Sequence, residues 1–69
     1  MDRIPVTSSS IVSVGYNPDT KTLEVEFVNG GIYQYFDVRR SIYDALMAAN
    51  SKGAFVSDHI KGNFFYERV

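Results

Sequence analysis

His59 is the only imidazole in the chain, and it stands beside Asp58 and two residues after Ser57. Hydroxyl, carboxylate and imidazole so close together invite a nucleophile–base reading. A Ser-His-Asp site also needs a turn that aims the serine and donors placed for the oxyanion. No G-x-S-x-G or comparable element occurs, so His59 is expected as a solvent-exposed residue on a short helical turn. The absence of cysteine removes thiolate nucleophiles and Cys-based zinc sites, and a single histidine removes a His-pair metal site. Asp58-His59 would be half of a metal site at best. Glu24 and Glu26 could pass for paired acids, but they share one side of a strand pattern and are expected on its solvated outer face. Gly30-Gly31 joins strand to strand and opens no helix, so it is no phosphate loop. The expectation is a non-catalytic protein with no metal and no cofactor.

Binding chemistry is better represented. Five Tyr and five Phe occur in 69 residues. Phe27, Tyr33, Tyr35, Phe55 and Tyr66 can be placed in or around a core, with Tyr43 at its rim. Phe36, Phe64 and Phe65 are harder to bury together, and Phe36 and Phe65 are the candidate interface aromatics. The net charge of −1 hides an asymmetry. Residues 1–37 carry two cations against five anions, and residues 38–69 carry five against three, so the halves stand at −3 and +2. Arg39, Arg40, Lys61 and Arg68 are the candidate phosphate contacts. Cations beside exposed aromatics make a stacking-plus-phosphate surface for single-stranded RNA. The same aromatics would equally serve a protein interface, and a small core without tryptophan also needs Phe and Tyr to fill its volume. A protein that bound mainly by phosphate neutralisation would usually be more basic than a pI near 5.6.

The elements that must position these residues follow from periodicity. Val12, Val14 and Tyr16 alternate with Ile11, Ser13 and Gly15, which predicts a strand. Asn17-Pro18-Asp19-Thr20 is turn chemistry. Leu23, Val25 and Phe27 alternate with Glu24 and Glu26 as a second, half-buried strand. Asn29-Gly30-Gly31 is a hairpin signal. A two-residue loop would oppose Val25 to Gln34 and Glu26 to Tyr33, mixing apolar with polar. A three-residue loop at 29–31 sets Phe27 opposite Tyr33, Val25 opposite Tyr35 and Glu26 opposite Gln34, so both faces agree. Tyr33 and Tyr35 then face the core. Ile42, Ala45, Leu46 and Ala49 fall at i, i+3, i+4 and i+7, the stripe of an amphipathic helix, which Tyr43 and Met47 widen. Ser41-x-x-Asp44 resembles a capping box, Asp37 is a rival N-cap, Gly53 is a C-cap candidate and Lys52 suits the negative helix end. Phe55–Ile60 is expected as one helical turn. Phe64, Tyr66 and Arg68 alternate with Phe65, Glu67 and Val69 as a last strand.

The predicted architecture is α+β: an antiparallel β-meander of three strands plus a short C-terminal strand, packed against one α-helix, with a short helical turn. Residues 1–8 are expected as a loose lead-in and residues 9–69 as one domain. A chain this short buries only about 60% of its unfolded surface, so nearly every large apolar side chain must contribute. No apolar run approaches the roughly 18 residues of a membrane span. The start lacks an apolar signal core, and the expected compartment is the cytoplasm.

In order and spacing, several short pieces resemble the KTSC domain, found as a C-terminal extension of lysyl-tRNA synthetases and as a stand-alone small protein. They are Ser9-Ser10-Ile11, Ser13-Val14-Gly15-Tyr16, Thr22-Leu23-Glu24-Val25-Glu26-Phe27 and Asn29-Gly30-Gly31. Tyr33-Gln34-Tyr35 fits the family's YxY signature. Tyr43-Asp44-Ala45-Leu46, Ser51-Lys52-Gly53, Ile60-Lys61-Gly62 and Tyr66-x-Arg68-Val69 follow. The resemblance implies a domain with no assigned catalytic residues, for which RNA binding has been suggested. This chain has Arg39-Arg40 where the family often has proline and an acidic residue. Two cations there oppose a helix's positive end, so they either pair with Asp37 or Asp44 or serve an anion. Two partner classes stay open: RNA, or a protein, including a second copy of this chain.

Overall fold

The computed structural model describes residues 1–69. β1 (Ile4–Pro5), β2 (Ile11–Asn17), β3 (Thr22–Phe27), β4 (Ile32–Tyr35) and β5 (Tyr66–Arg68) form one antiparallel sheet in chain order. Between β4 and β5 the chain passes through α1 (Arg40–Ala48), α2 (Lys52–Phe55) and a π-helical turn, Val56–Ile60. The fold is α+β, with five strands where four were expected and two helices where one was expected.

The additional strand comes from the expected lead-in. Ile4 pairs with Val14 and Pro5 with Ser13, so residues 1–8 are not loose throughout. A two-residue strand is too short to show a period. Its proline donates nothing to a ladder and is tolerated because β1 is an edge.

The β3–β4 hairpin has the expected parity but not the expected register. Val25 faces Tyr33, Leu23 faces Tyr35 and Glu24 faces Gln34. The three-residue loop is 28–30, not 29–31. Gly30 N–H donates to Phe27 O and Phe27 N–H to Gly31 O, which closes the loop around Gly30. Gly30 has φ +93°, the left-handed conformation that ends such a loop and that glycine adopts without a Cβ clash. Asn29 Oδ1 accepts from Gly31 N–H at 2.9 Å and fixes the turn. Sliding by two residues keeps every side chain on its face, so both tyrosines still point to the core side.

Neither Asp37 nor Ser41 caps α1. Arg39 occupies the N-cap position in extended conformation, with no side-chain bond to the helix. Asp37 instead takes a left-handed φ of +58°. The bend delivers Val38 inward, where its N–H bonds Lys21 O at 2.9 Å and its side chain is fully buried. Gly53 is not a C-cap, because α1 stops at Ala48 and Gly53 lies inside α2. Lys52 does serve the helix end, donating to Ala49 O at 3.1 Å. The segment expected as one helical turn is α2 continued by the π turn, which closes with Lys61 N–H on Val56 O at 2.8 Å. Ser51 caps α2 through its hydroxyl, which accepts from Ala54 N–H.

The core is one cluster of Ile11, Val14, Leu23, Val25, Tyr35, Val38, Leu46, Val56 and Ile60. Each such large side chain contributes about 1.5–3 kcal/mol relative to exposure. Leu46 is the one fully buried residue of the α1 stripe, and Ala45 lies exposed. Tyr16 fixes α1 against the sheet. Its ring stacks on Tyr43 at 4.8 Å, and its hydroxyl donates to Val38 O at 2.6 Å.

Candidate binding cleft

The helical layer stops short of one end of the core-side face. Val25 and Leu23 are sealed, but Phe27 and Tyr33 are only half-buried. Beyond them lies an open cleft of about 410 Å³ lined by Phe27, Asn29, Tyr33, Tyr35, Lys61, Gly62 and Tyr66. The sheet register builds its walls: Tyr66 stands opposite Tyr35, and Arg68 opposite Tyr33. The π turn supplies the remaining side, since Val56 and Ile60 point inward and Lys61 and Gly62 follow directly.

The rings form a connected set. Phe27 meets Tyr33 edge-on at 5.7 Å, and Tyr66 lies 5.9 Å from Tyr33 and 5.8 Å from Tyr35. Lys61 Nζ sits 5.0 Å from the Phe27 centroid and the Arg68 guanidinium 5.8 Å from that of Tyr33. Both cations are drawn to ring faces. Neither forms an ion pair, and no carboxylate lines the cleft. Burial, reinforced by neighbouring Tyr33 and Tyr66, raises the Tyr35 hydroxyl above its ordinary pKa. It is therefore a neutral donor and acceptor throughout the physiological range. The arrangement offers stacking area, two free positive charges and hydroxyls, and no acid–base pair.

Of the four cations singled out in sequence, the fold brings Lys61 and Arg68 to these rings. Arg39 and Arg40 do not line the cleft. Arg40 lies 3.8 Å from Asp44 as an exposed i,i+4 pair, and Arg39 has no ion pair. Phe36 and Phe65 gather with Phe64 around a second, shallower hollow that meets the cleft at Gly62. Phe65 is 89% exposed, whereas Phe36 and Phe64 are half-buried. Tyr66, expected in or around the core, is 59% exposed at the cleft mouth. Sequence reasoning did not assign Tyr66 or Asn29 to a site. Alternation did place Tyr66 and Arg68 on one side, but their pairing with β4 spans some thirty residues and leaves no local trace.

The opposite face of the sheet corrects another expectation. Glu24 is not solvated: it is 4% exposed, under the N-terminal segment. Arg3 pairs with Glu24, donates to Ser13 Oγ at 2.9 Å and lies 3.7 Å from Glu26. Ser13 donates to Glu26, and Gln34 to the other Glu24 oxygen, each at 2.9 Å. Burial pushes the Glu24 carboxyl up, but the Gln34 and Arg3 hydrogen bonds and the Arg3 charge outweigh it. The net pKa lies below the usual carboxylate value. These glutamates are structural, held by a cation that strand periodicity could not place. His59 is exposed as expected, its ring 4.7 Å from Phe55.

The KTSC domain family model matches residues 7–65, most of the chain. The chain belongs to the KTSC domain family. The KTSC match ends before β5 and begins after β1, so the family's matched region holds the core, and the two edge strands complete the sheet. A solved KTSC domain protein from Yersinia pestis superimposes with a TM-score of 0.96 at 43% identity, covering 99% of this chain and 96% of its own. A Tsukamurella paurometabola protein is 40% identical over 60 residues, 87% of this chain and 90% of that relative. A lysine–tRNA ligase from Nostoc is 43% identical over 61 residues. That match covers 88% of this chain but only 11% of the ligase, so the likeness is to one small part of a much longer enzyme. No helix of the KTSC fold here is long and apolar enough to cross a membrane.

Proposed function

We propose that this KTSC domain is a non-catalytic binding module that takes single-stranded RNA along the aromatic cleft. One observation carries the reading: two cations without carboxylate partners lie on the rings of an open aromatic cleft that no acidic residue lines. Lys61 and Arg68 would meet phosphates, and the Tyr66 ring would stack on a base. The acidic pI does not oppose this, because binding responds to local charge as well as to the total. Kinship with a segment of lysine–tRNA ligases agrees with an RNA setting, as analogy.

Fluorescence anisotropy of a labelled mixed-sequence single-stranded RNA tests it. Lys61→Glu combined with Arg68→Glu should weaken binding by about tenfold or more and flatten the log–log salt slope by roughly 1.4, two phosphate contacts' worth. Arg39→Glu, away from the cleft, should change affinity far less. Salt-independent binding, or equal losses from both variants, would sink the assignment.

A second reading has its own support. Phe65 stands almost fully exposed beside Phe36 and Phe64, the pattern of an aromatic anchor for a protein partner. Capture from lysate with and without nuclease separates the two: a partner retained after nuclease and lost in Phe65→Ser favours protein.

A further inference from the structure

We propose that the cleft accepts one unstacked base of the RNA and selects among bases through hydroxyls at its floor, with Tyr35 the deepest reading group. This rests on the RNA reading above and adds what the pocket recognises.

Tyr35 is only 4% exposed, and its hydroxyl has no hydrogen-bond partner in the protein. Yet no sealed side-chain polar atom anywhere in the molecule lacks a partner. The Tyr35 hydroxyl therefore keeps some solvent access, and Tyr35 is a lining residue of the cleft. Tyr16 shows the contrast, since its hydroxyl is spent on Val38 O. A buried tyrosine normally finds such a bond. The hydroxyls of Tyr33 and Tyr66, whose rings flank the same space, are equally free of protein partners. Asn29 adds a fixed donor. Its Oδ1 is engaged by Gly31 N–H, so the side-chain NH₂ is left free at the cleft wall.

Phosphate capture and stacking would need only Lys61, Arg68 and a ring. The unengaged hydroxyls and amide call for a ligand with polar edges as well as a flat face. An apolar aromatic side chain from a protein would leave them unsatisfied, and a basic one would be repelled by both cations. A nucleobase has a face for Tyr66, an edge for the hydroxyls and a phosphate on either side. The cleft's volume of about 410 Å³ suits a single nucleoside and not a duplex.

The test uses eight-nucleotide U, A and C homopolymer RNAs, labelled for anisotropy, against the unaltered protein and Tyr35→Phe. The unaltered protein should prefer one homopolymer over the weakest by about tenfold. Tyr35→Phe should shrink that preference by about two- to tenfold, one hydrogen bond's worth, by weakening the preferred RNA more than the weakest binder. Its thermal midpoint should hold, because the hydroxyl has no protein bond to lose. Tyr66→Phe, on an exposed ring whose hydroxyl is equally free, should shift the preference the same way. Equal binding of all three RNAs, or a preference untouched by both variants, overturns base selection and leaves the phosphate-and-stacking reading standing. Failure to bind any of them overturns both. Mononucleotides binding as tightly as the octamers would overturn the RNA assignment in favour of a free nucleotide.

Discussion

In Arg3→Met the side chain keeps its apolar length but loses the guanidinium. Three interactions go with it: the pair with Glu24, the bond to Ser13 and the longer contact with Glu26. A buried charge-assisted hydrogen bond contributes about 1.5–3 kcal/mol. Arg3 is 27% exposed in its side chain and Glu24 6%, so solvent screens part of this, and a net loss of about 2 kcal/mol at pH 7 is expected. For a domain of this size that lowers the melting midpoint by about 8–16 °C. The pH dependence identifies the cause. Glu24 titrates below its usual value when folded, so its stabilising contribution is complete above the unfolded pKa of about 4.3. It is lost as pH falls through the folded value. Without Arg3 the burial that raises the carboxyl is opposed chiefly by the Gln34 hydrogen bond, so less holds its charged form. The penalty should therefore be larger at pH 7 than at pH 2.5, because acid progressively protonates Glu24 and removes the charge that Arg3 pairs with. Urea unfolding followed by circular dichroism at the two pH values measures it. A loss below about 0.5 kcal/mol at pH 7, the range of an indifferent surface change, refutes the reasoning. So does a loss of the same size at both pH values.

Two further perturbations probe the sheet and its cover. Leu46→Ala empties the only fully buried position of α1 and should cost about 2–5 kcal/mol in urea unfolding; less than 1 kcal/mol would mean that α1 does not close the core. Gly15→Ala should displace the N-terminal segment, since a Cβ there would stand 2.6 Å from Asp2 O and 3.1 Å from Arg3 Cγ. Its effect and that of Arg3→Met should then be strongly sub-additive in a double-mutant cycle, and simple additivity would show that the segment does not rest on Gly15.

What was legible in the chain was whatever a local period carries. Alternation gave the three central strands, β5 and the side on which Tyr33 and Tyr35 lie. The i, i+3, i+4 stripe gave α1. Register was less secure than parity, because a two-residue slide preserves the apolar pattern. The choice between loops 28–30 and 29–31 turned on which glycine takes the left-handed conformation, and either could. Caps failed for a related reason. Asp37 has the right chemistry for an N-cap, but burying Val38 fully outweighs one side-chain bond.

Composition, periodicity and turn residues thus determined a small α+β meander under a helix, rich in rings and late-chain cations. Tertiary structure alone decided which of those rings and cations meet. Lys61 and Arg68 reach Phe27 and Tyr33 through the β4–β5 pairing and the π turn, and Arg3 reaches Glu24 across the back of the sheet. Such contacts join residues far apart in the chain. Their geometry is set by how the packed layers close, and no local repeat of the sequence encodes it.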